Sequence, residues 1–321
     1  MRQATSPPIE SAQASGVNIE DAIESFARHL RAENLSPRTI QTYGESARQF
    51  ARFLAEKGMP RDVAHITREH VEAFMEHLLG RWKPATAVNR YRGLQAVFGW
   101  LKEEGEIKET PLARTSPPKV VEQPPPILRE EELRALLRTC ESGRSLEDRR
   151  DHALLRILID TGARRAEVAG LRYSTDDDEA NDVDLDNGLL RVTGKGGRDR
   201  LLHIGDKTMR AIDRYLRVRS QRRDAASTPW LWLGHKGRLT DSGLAQIVRK
   251  RGRQAGLGER VHPHQLRHSF SHHWLADGGQ ETDLMRITGW KSRAMLQRYG
   301  ASAAQERSWA AHKRLSPGDK L

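Results

Sequence analysis

The sequence predicts a mainly α protein of two domains, with a small antiparallel β-sheet confined to the second. Three observations carry that expectation. The chain has 321 residues, and a single hydrophobic core rarely grows beyond about 250–300. Apolar residues recur at three- and four-residue steps over most of its length, which is the helical period. Between residues 109 and 127 the stretch ETPLARTSPPKVVEQPPPI holds six prolines, a composition that favours an extended, semi-rigid linker.

The elements follow in order. Residues 1–17 are rich in Ser, Ala, Pro and Gln and are expected to be disordered. Residues 18–106 form a helical domain. In NLSPRTIQTYGESARQFARFL, Ser36 suits an N-cap and Pro37 the first helical position. Ile40, Tyr43, Ala47, Phe50 and Leu54 then share one face. In ITREHVEAFMEHLL, Thr67 caps a further helix, with Ile66 and Val71 stapling its entry. Another starts near Ala85, with Val88, Tyr91, Leu94, Phe98 and Leu101 on one side, giving about four helices in all. The linker spans 107–127.

The second domain, residues 128–302, opens at LREEELRALL. DHALLRILIDTG is apolar nearly all round, as a buried helix must be, and Gly162 can end it in a left-handed turn. Between 183 and 204 the period changes: LLRVTGKGGRDRLLHI reads as two short strands around a Gly-rich turn. Helical patterns resume from about residue 206. A C-terminal tail, 303–321, carries a short amphipathic helix, AAQERSWAAHKRL, with Trp309 and Leu315.

Charge narrows the function. Lys and Arg number 54 against 43 Asp and Glu, for a net charge of +11. The excess is spread over many helices and points to a polyanionic partner, of which nucleic acid is the commonest. A single cysteine, Cys140, excludes an intrachain disulfide and a Cys-based zinc site and suits a reducing cytosol. MRQATSPPIESAQASG lacks the apolar core of a signal peptide, and no apolar run approaches the ~18 residues of a membrane span. The expected location is the cytoplasm, with no membrane contact.

Several motifs carry chemistry. GKGG at 194–197 fails as a phosphate loop: five residues separate Gly188 from Gly194 instead of four, and Gly196 stands where Ser or Thr must follow the lysine. What remains is Lys195 at a hairpin tip, which read alone is also an ordinary solvated lysine. HPHQLRHSFSHHW holds five histidines. His264 and His268 have zinc-like spacing, but Gln265 occupies the place of a catalytic Glu and Arg267 opposes a cation. His264 and Arg267, three apart, can instead point into one pocket, where an arginine fork grips phosphate oxygens and an imidazole moves a proton.

In TGARRAEVAGLR, Glu167 can hold Arg164 in place by a charge-assisted bond, or form a weak surface pair with it. Tyr299 shares its helix face with Met295 and Leu296, which also suits plain packing. Trp290 and Tyr299 are nine apart, about 900° of one helix and so on opposite faces. They can meet one site only if the helix breaks. Gly289 is a stop, Ser292 a fresh N-cap, and Gly300 a C-cap just after the tyrosine. The acidic run DDDE at 176–179 reads as a solvated loop.

Taken together and in order, these residues resemble the tyrosine recombinases, also called phage integrases. The resemblance rests on TGAR at 161–164, GKG at 194–196, HQLRH at 264–268, GW at 289–290 and Tyr299. It extends over residues 18–300, with the helical unit resembling a core-binding domain and the rest a catalytic domain. It implies a site-specific recombinase that cuts and rejoins DNA strands. Tyr299 would attack a phosphodiester, leaving a 3′-phosphotyrosyl bond and a free 5′-hydroxyl. Arg164 and Arg267 would bind the non-bridging oxygens, Lys195 would protonate the departing 5′-oxygen, and His264 would assist proton transfer. Trp290 would position the phosphate and nucleophile, and Glu167 and His268 would support the set.

The phosphotyrosine keeps the diester's energy, so the resemblance implies no cofactor, ATP or metal. It also implies a clamp of two domains around double-stranded DNA, with Arg48, Arg52, Lys83, Arg90 and Arg92 as candidate phosphate contacts. The tail would be exchanged between protomers of a homotetramer on two sites, assembled from free monomers or dimers, with accessory proteins possible. Arg165 departs from the pattern where an apolar residue is usual, Trp290 stands where His is common, and the loop from 174 to 188 is long and acidic. Integration or mobile-element movement is the expected setting; too little chain precedes residue 18 for the separate arm-binding domain of some phage integrases, which favours a simpler system or a mobile-element recombinase. A relaxing topoisomerase of the same chemistry fits less well with so compact a core-binding domain. A catalytically silent DNA-binding protein on the same fold is the alternative from another class.

Overall fold

A computed structural model of the chain describes residues 16–320 apart from 121–124, 175–176, 178, 195–196 and 236. The side chains at 297–299, 301–302, 305–306, 310 and 320 also lie outside it. So do Lys195, the Tyr299 side chain, Asp176, Asp178 and nearly all of the N-terminal tail. The chain divides into two units, residues 1–122 and 123–321.

Four helices build the first unit: α1 (Ile19–Ala32), α2 (Pro37–Glu56), α3 (Arg68–Leu79) and α4 (Pro84–Glu103). Their starts are written in the sequence. The Asn18 side chain accepts from Glu20 N–H, and the Ser36 hydroxyl accepts from Thr39 N–H ahead of Pro37. Thr67 caps α3, and its N–H donates to the His70 ring at 3.0 Å. The apolar stripes meet in a core of Phe26, Phe50, Phe74, Tyr91, Leu94 and Phe98. Each such side chain contributes roughly 1.5–3 kcal/mol by leaving water.

The expected linker starts too early. Ile107 and Leu112 are buried in this same core, and Tyr91 Oη donates to Thr115 O at 2.9 Å. Residues 107–115 are therefore packed against the first unit rather than extended, because two apolar side chains among the prolines have a core to enter.

The second unit contains α5 (Glu130–Glu141), α6 (Leu146–Thr161), α7 (Arg165–Ala169), α8 (Asp206–Arg219), α9 (Asp241–Gln254), α10 (Pro263–Ala276), α11 (Glu281–Thr288) and α12 (Arg293–Leu315). As its composition requires, α6 is buried on most sides, and Gly162 ends it at φ 58°. The predicted hairpin is present as β2 (Leu189–Thr193) and β3 (Asp199–His203). The sequence reading missed β1 (Val183–Asp184), which completes an antiparallel sheet in the order β1-β2-β3. It also missed a second hairpin, β4 (Leu233–Gly234) with β5 (Gly237–Arg238). These strands are two residues long, too short to show an alternating pattern. Leu190, Val192 and Leu202 turn one face of the larger sheet into the core.

The C-terminus departs from expectation. Gly300 does not cap a two-turn helix: α12 runs unbroken from Arg293 to Leu315, so the tail helix and the Tyr299 helix are one. The glycine serves packing instead. A Cβ placed there would sit 3.0 Å from Leu275 Cδ1 on α10. Leu275, Leu284, Trp290, Leu296 and Ala303 form a small separate core, while Trp309 and Leu315 are exposed.

Candidate active site

Three arginines converge on the C-terminal end of α11. A helix leaves its last carbonyls without intrahelical partners, and that end is the negative pole of the helix dipole. Gly289 closes α11 in the left-handed region at φ 67°, and three successive carbonyls each accept a guanidinium. Ile287 O accepts from Arg200 Nε at 3.0 Å, Thr288 O from Arg267 Nη2 at 2.7 Å, and Gly289 O from Arg164 Nη2 at 3.3 Å. Arg164 is the N-cap of α7, Arg200 lies on β3, and Arg267 on α10. One helix end thus gathers residues from three distant parts of the chain.

Glu167 organises two of them. Its side chain is 3 % exposed. It accepts from Arg164 N–H at 2.7 Å and Arg164 Nη1 at 2.8 Å. It also accepts both prongs of Arg200, Nη1 to Oε1 and Nη2 to Oε2, each at 2.7 Å. Burial alone pushes this carboxyl up, but the bonds from Arg200 and Arg164 outweigh it and hold the group below the ordinary carboxylate range. The weak surface pair considered from the sequence is excluded by this burial.

Arg267 is buried at 3 % exposure, and Gly162 O also accepts from its Nη1 at 2.6 Å. Two helix ends therefore fix the guanidinium plane, whose Cζ lies 5.4 Å from the centre of the buried Trp290 ring. His264, one turn earlier, is exposed at the start of α10 while Arg267 is buried, so the two do not share one closed pocket. Desolvation first, then the charges of His262, Arg165, Arg267 and Arg164, hold the His264 imidazole below its usual pKa. It is neutral near pH 7 and able to accept a proton. His262 caps α10, its ring accepting from Gln265 N–H at 3.1 Å. His268 lies half-buried on the same helix.

Arg165 pairs with Asp241 on α9 at 2.7 Å, which gives its charge an acidic partner. A groove of 840 Å³ opens beside Arg164 and Arg200, lined also by Arg198, Arg286, Trp290 and Lys291. Five cations against one carboxylate, Asp199, leave the groove net positive and suited to an anionic chain. Gly194 N–H donates to Arg198 O at 2.8 Å between β2 and β3. The break between Trp290 and Tyr299 lies at Gly289–Ser292, between α11 and α12, although the Ser292 side chain makes no capping bond. Among the described residues no group of three or more His, Cys, Asp or Glu is arranged to hold a metal.

Of the candidate DNA contacts, Arg48 and Arg52 are exposed on α2, Lys83 is exposed at the entry to α4, and on α4 Arg92 is exposed and Arg90 half-buried. Arg200 is the site residue that sequence reasoning missed. Its signal was present: on β3 it shares a face with the buried Leu202, and an arginine on the inner face of a strand requires an acidic partner.

This arrangement suits the binding of a phosphodiester. Residues 126–306 match the Phage integrase family, and residues 23–106 match the family's N-terminal SAM-like domain. The chain belongs to the phage integrase family and is a tyrosine-type site-specific DNA recombinase. A tyrosine recombinase XerC of Roseiflexus sp. (strain RS-1) is 32% identical over 299 residues, covering 89% of this chain and 92% of the relative. A tyrosine recombinase XerD of Listeria monocytogenes serotype 4b is 28% identical over 287 residues, covering 88% and 94%. The fold is similar to the XerH site-specific recombinase in its post-cleavage complex with palindromic difH substrate, at TM-score 0.72, 22% identity and coverage of 90% and 83%. It is also similar to a lambda integrase tetramer bound to a Holliday junction, at TM-score 0.70, 15% identity and coverage of 91% and 79%. No helix among the described residues is long and apolar enough to cross a membrane.

Proposed function

We propose that the enzyme exchanges DNA strands through a 3′-phosphotyrosyl intermediate with Tyr299 as nucleophile. Tyr299 Oη forms a bond to the scissile phosphorus while the bond to the 5′-oxygen breaks, and the electron pair leaves with that oxygen. Lys195 supplies the proton the 5′-oxygen takes up, and neutral His264 accepts the proton the tyrosine loses. Arg164 and Arg267 neutralise the non-bridging oxygens, Trp290 packs beside them, and Glu167 and His268 support the set. A free phenol has a pKa near ~10, so surrounding cations favour the phenolate and stabilise the charged transition state together. The observation that carries the reading is the convergence of Arg164, Arg200 and Arg267 on three adjacent carbonyls beside a basic groove.

The phosphotyrosyl bond conserves the diester's energy, so a second 5′-hydroxyl reverses the step and rejoins a new partner strand. Exchange takes four protomers on two sites. The exposed Trp309 and Leu315 on α12 suit a tail that packs on a neighbouring protomer. Arg48, Arg52, Lys83, Arg90 and Arg92 hold the duplex through its phosphates.

The finer reading drawn from the sequence is integration or movement of a mobile element. The relatives named XerC and XerD favour a second one, resolution of chromosome dimers. The test is to incubate the protein with fragmented DNA from its own genome, quench with detergent, and sequence what stays covalently attached. Adducts at the ends of a mobile element support the first reading, and one chromosomal site supports the second. DNA binding without adducts would favour a catalytically silent binder and overturn both.

A further inference from the structure

We propose that Arg200 is a positioning residue that takes up the charge of Glu167 and so leaves Arg164 cationic toward the groove. The inference rests on the reading of Arg164 as a phosphate-binding group. A carboxylate that aligns an arginine alone also cancels it, because a one-to-one ion pair presents little net charge to an arriving phosphodiester. A second guanidinium changes that balance to two positive charges against one negative.

Geometry assigns which arginine is the resident counter-ion. Arg200 directs both Nη atoms to the carboxylate and its Nε to Ile287 O, and its side chain is 16 % exposed. Arg164 gives Glu167 one Nη, makes a longer 3.3 Å contact to Gly289 O, and remains 38 % exposed beside the groove. The inward-facing fork serves Glu167, and the outward-facing one is left for substrate. A lysine at 200 would carry the charge but not the two-pronged geometry.

The test uses Arg200→Gln and Arg200→Lys in the full chain. The DNA is a duplex carrying the site recovered by covalent trapping, with either an ordinary scissile phosphodiester or a methylphosphonate. In the latter a methyl group replaces one non-bridging oxygen, so the link has no charge to neutralise. Arg200→Gln is expected to lower adduct formation on the ordinary diester about 100-fold and to match the wild type on the methylphosphonate, with Arg200→Lys in between. Equal losses on both substrates would mean that Arg200 acts only through the fold, overturning the proposal.

A second measurement needs no DNA. Glu167 loses its two-pronged partner in Arg200→Gln, so the carboxyl protonates at higher pH and acid unfolding begins earlier. An unchanged acid midpoint would overturn the charge sharing. If the wild type forms no adduct with either link, the proposed chemistry has failed, and the acid titration still decides the pairing of Glu167 with Arg200.

Discussion

The carbonyl of Gly162 accepts a 2.6 Å hydrogen bond from Arg267 Nη1, and the left-handed backbone of that glycine, at φ 58°, aims it there. A Cβ at this position would lie 2.4 Å from Phe270 Cδ1. Gly162→Ala is therefore expected to cost about 1–3 kcal/mol of stability from backbone strain alone and to slow cleavage by tilting Arg267. Urea unfolding and adduct formation measure the two effects. A variant as stable and as active as the wild type would show that the turn does not set the arginine.

Glu167 is nearly inaccessible, and Arg200 beside it is mostly buried, at 16 % side-chain exposure. Removing the carboxylate in Glu167→Ala leaves an uncompensated guanidinium, a change that costs about 3–5 kcal/mol in buried pairs. Because the folded pKa of Glu167 is depressed, its stabilisation is present above the ordinary value of 4.5 and is lost as pH falls through the folded value. The variant should thus differ most from the wild type at neutral pH and least in strong acid. A constant gap from neutral pH into strong acid would count against the ion pairing.

His152 titrates in a different window. Burial first, then the charge of Arg156, lowers its pKa from 6.5 to about 4, and Arg156 Nε donates to its ring at 3.3 Å. The unfolded chain binds a proton between these values while the folded chain does not, so stability falls as pH drops through that range. Between pH 7 and pH 5 the loss attributable to this group is about 2 kcal/mol. Chemical unfolding at both pH values should show a smaller drop in His152→Gln, and an identical drop would assign the slope elsewhere.

His264 sets the acid limb of the reaction. Its pKa lies below the ordinary 6.5, so cleavage should hold steady down to that pH and decline further below it as the base is protonated. In His264→Gln the rate should be lower and this limb absent. Persistence of the same limb in the variant would identify another group as the base.

Much of this was legible in the sequence because caps and periods are local. Ser36, Pro37, Gly162 and Gly289 mark their helix ends where expected. Gly300 misled because a glycine that ends a helix and one that admits a neighbouring side chain look alike until Leu275 is known to approach it. Arg200 escaped because its meaning depends on Glu167, which lies 33 positions away. Ile107 and Leu112 escaped because proline content hid the apolar pair that returns to the first core.

The phosphate contacts are read from salt. Each of Arg48, Arg52, Lys83 and Arg92, if it touches a phosphate, contributes about 0.9 to the slope of log K against log salt. Alanine at one such position should weaken binding to all duplexes alike and lower that slope by about 1. An unchanged slope would remove the residue from the interface.

The most direct measurement is to digest the covalent adduct with nuclease and protease and identify by mass spectrometry the peptide that carries the residual nucleotide. The prediction is a phosphodiester on Tyr299 through the 3′ end, and no adduct in Tyr299→Phe. A nucleotide on any other residue, or adducts undiminished in Tyr299→Phe, would contradict it.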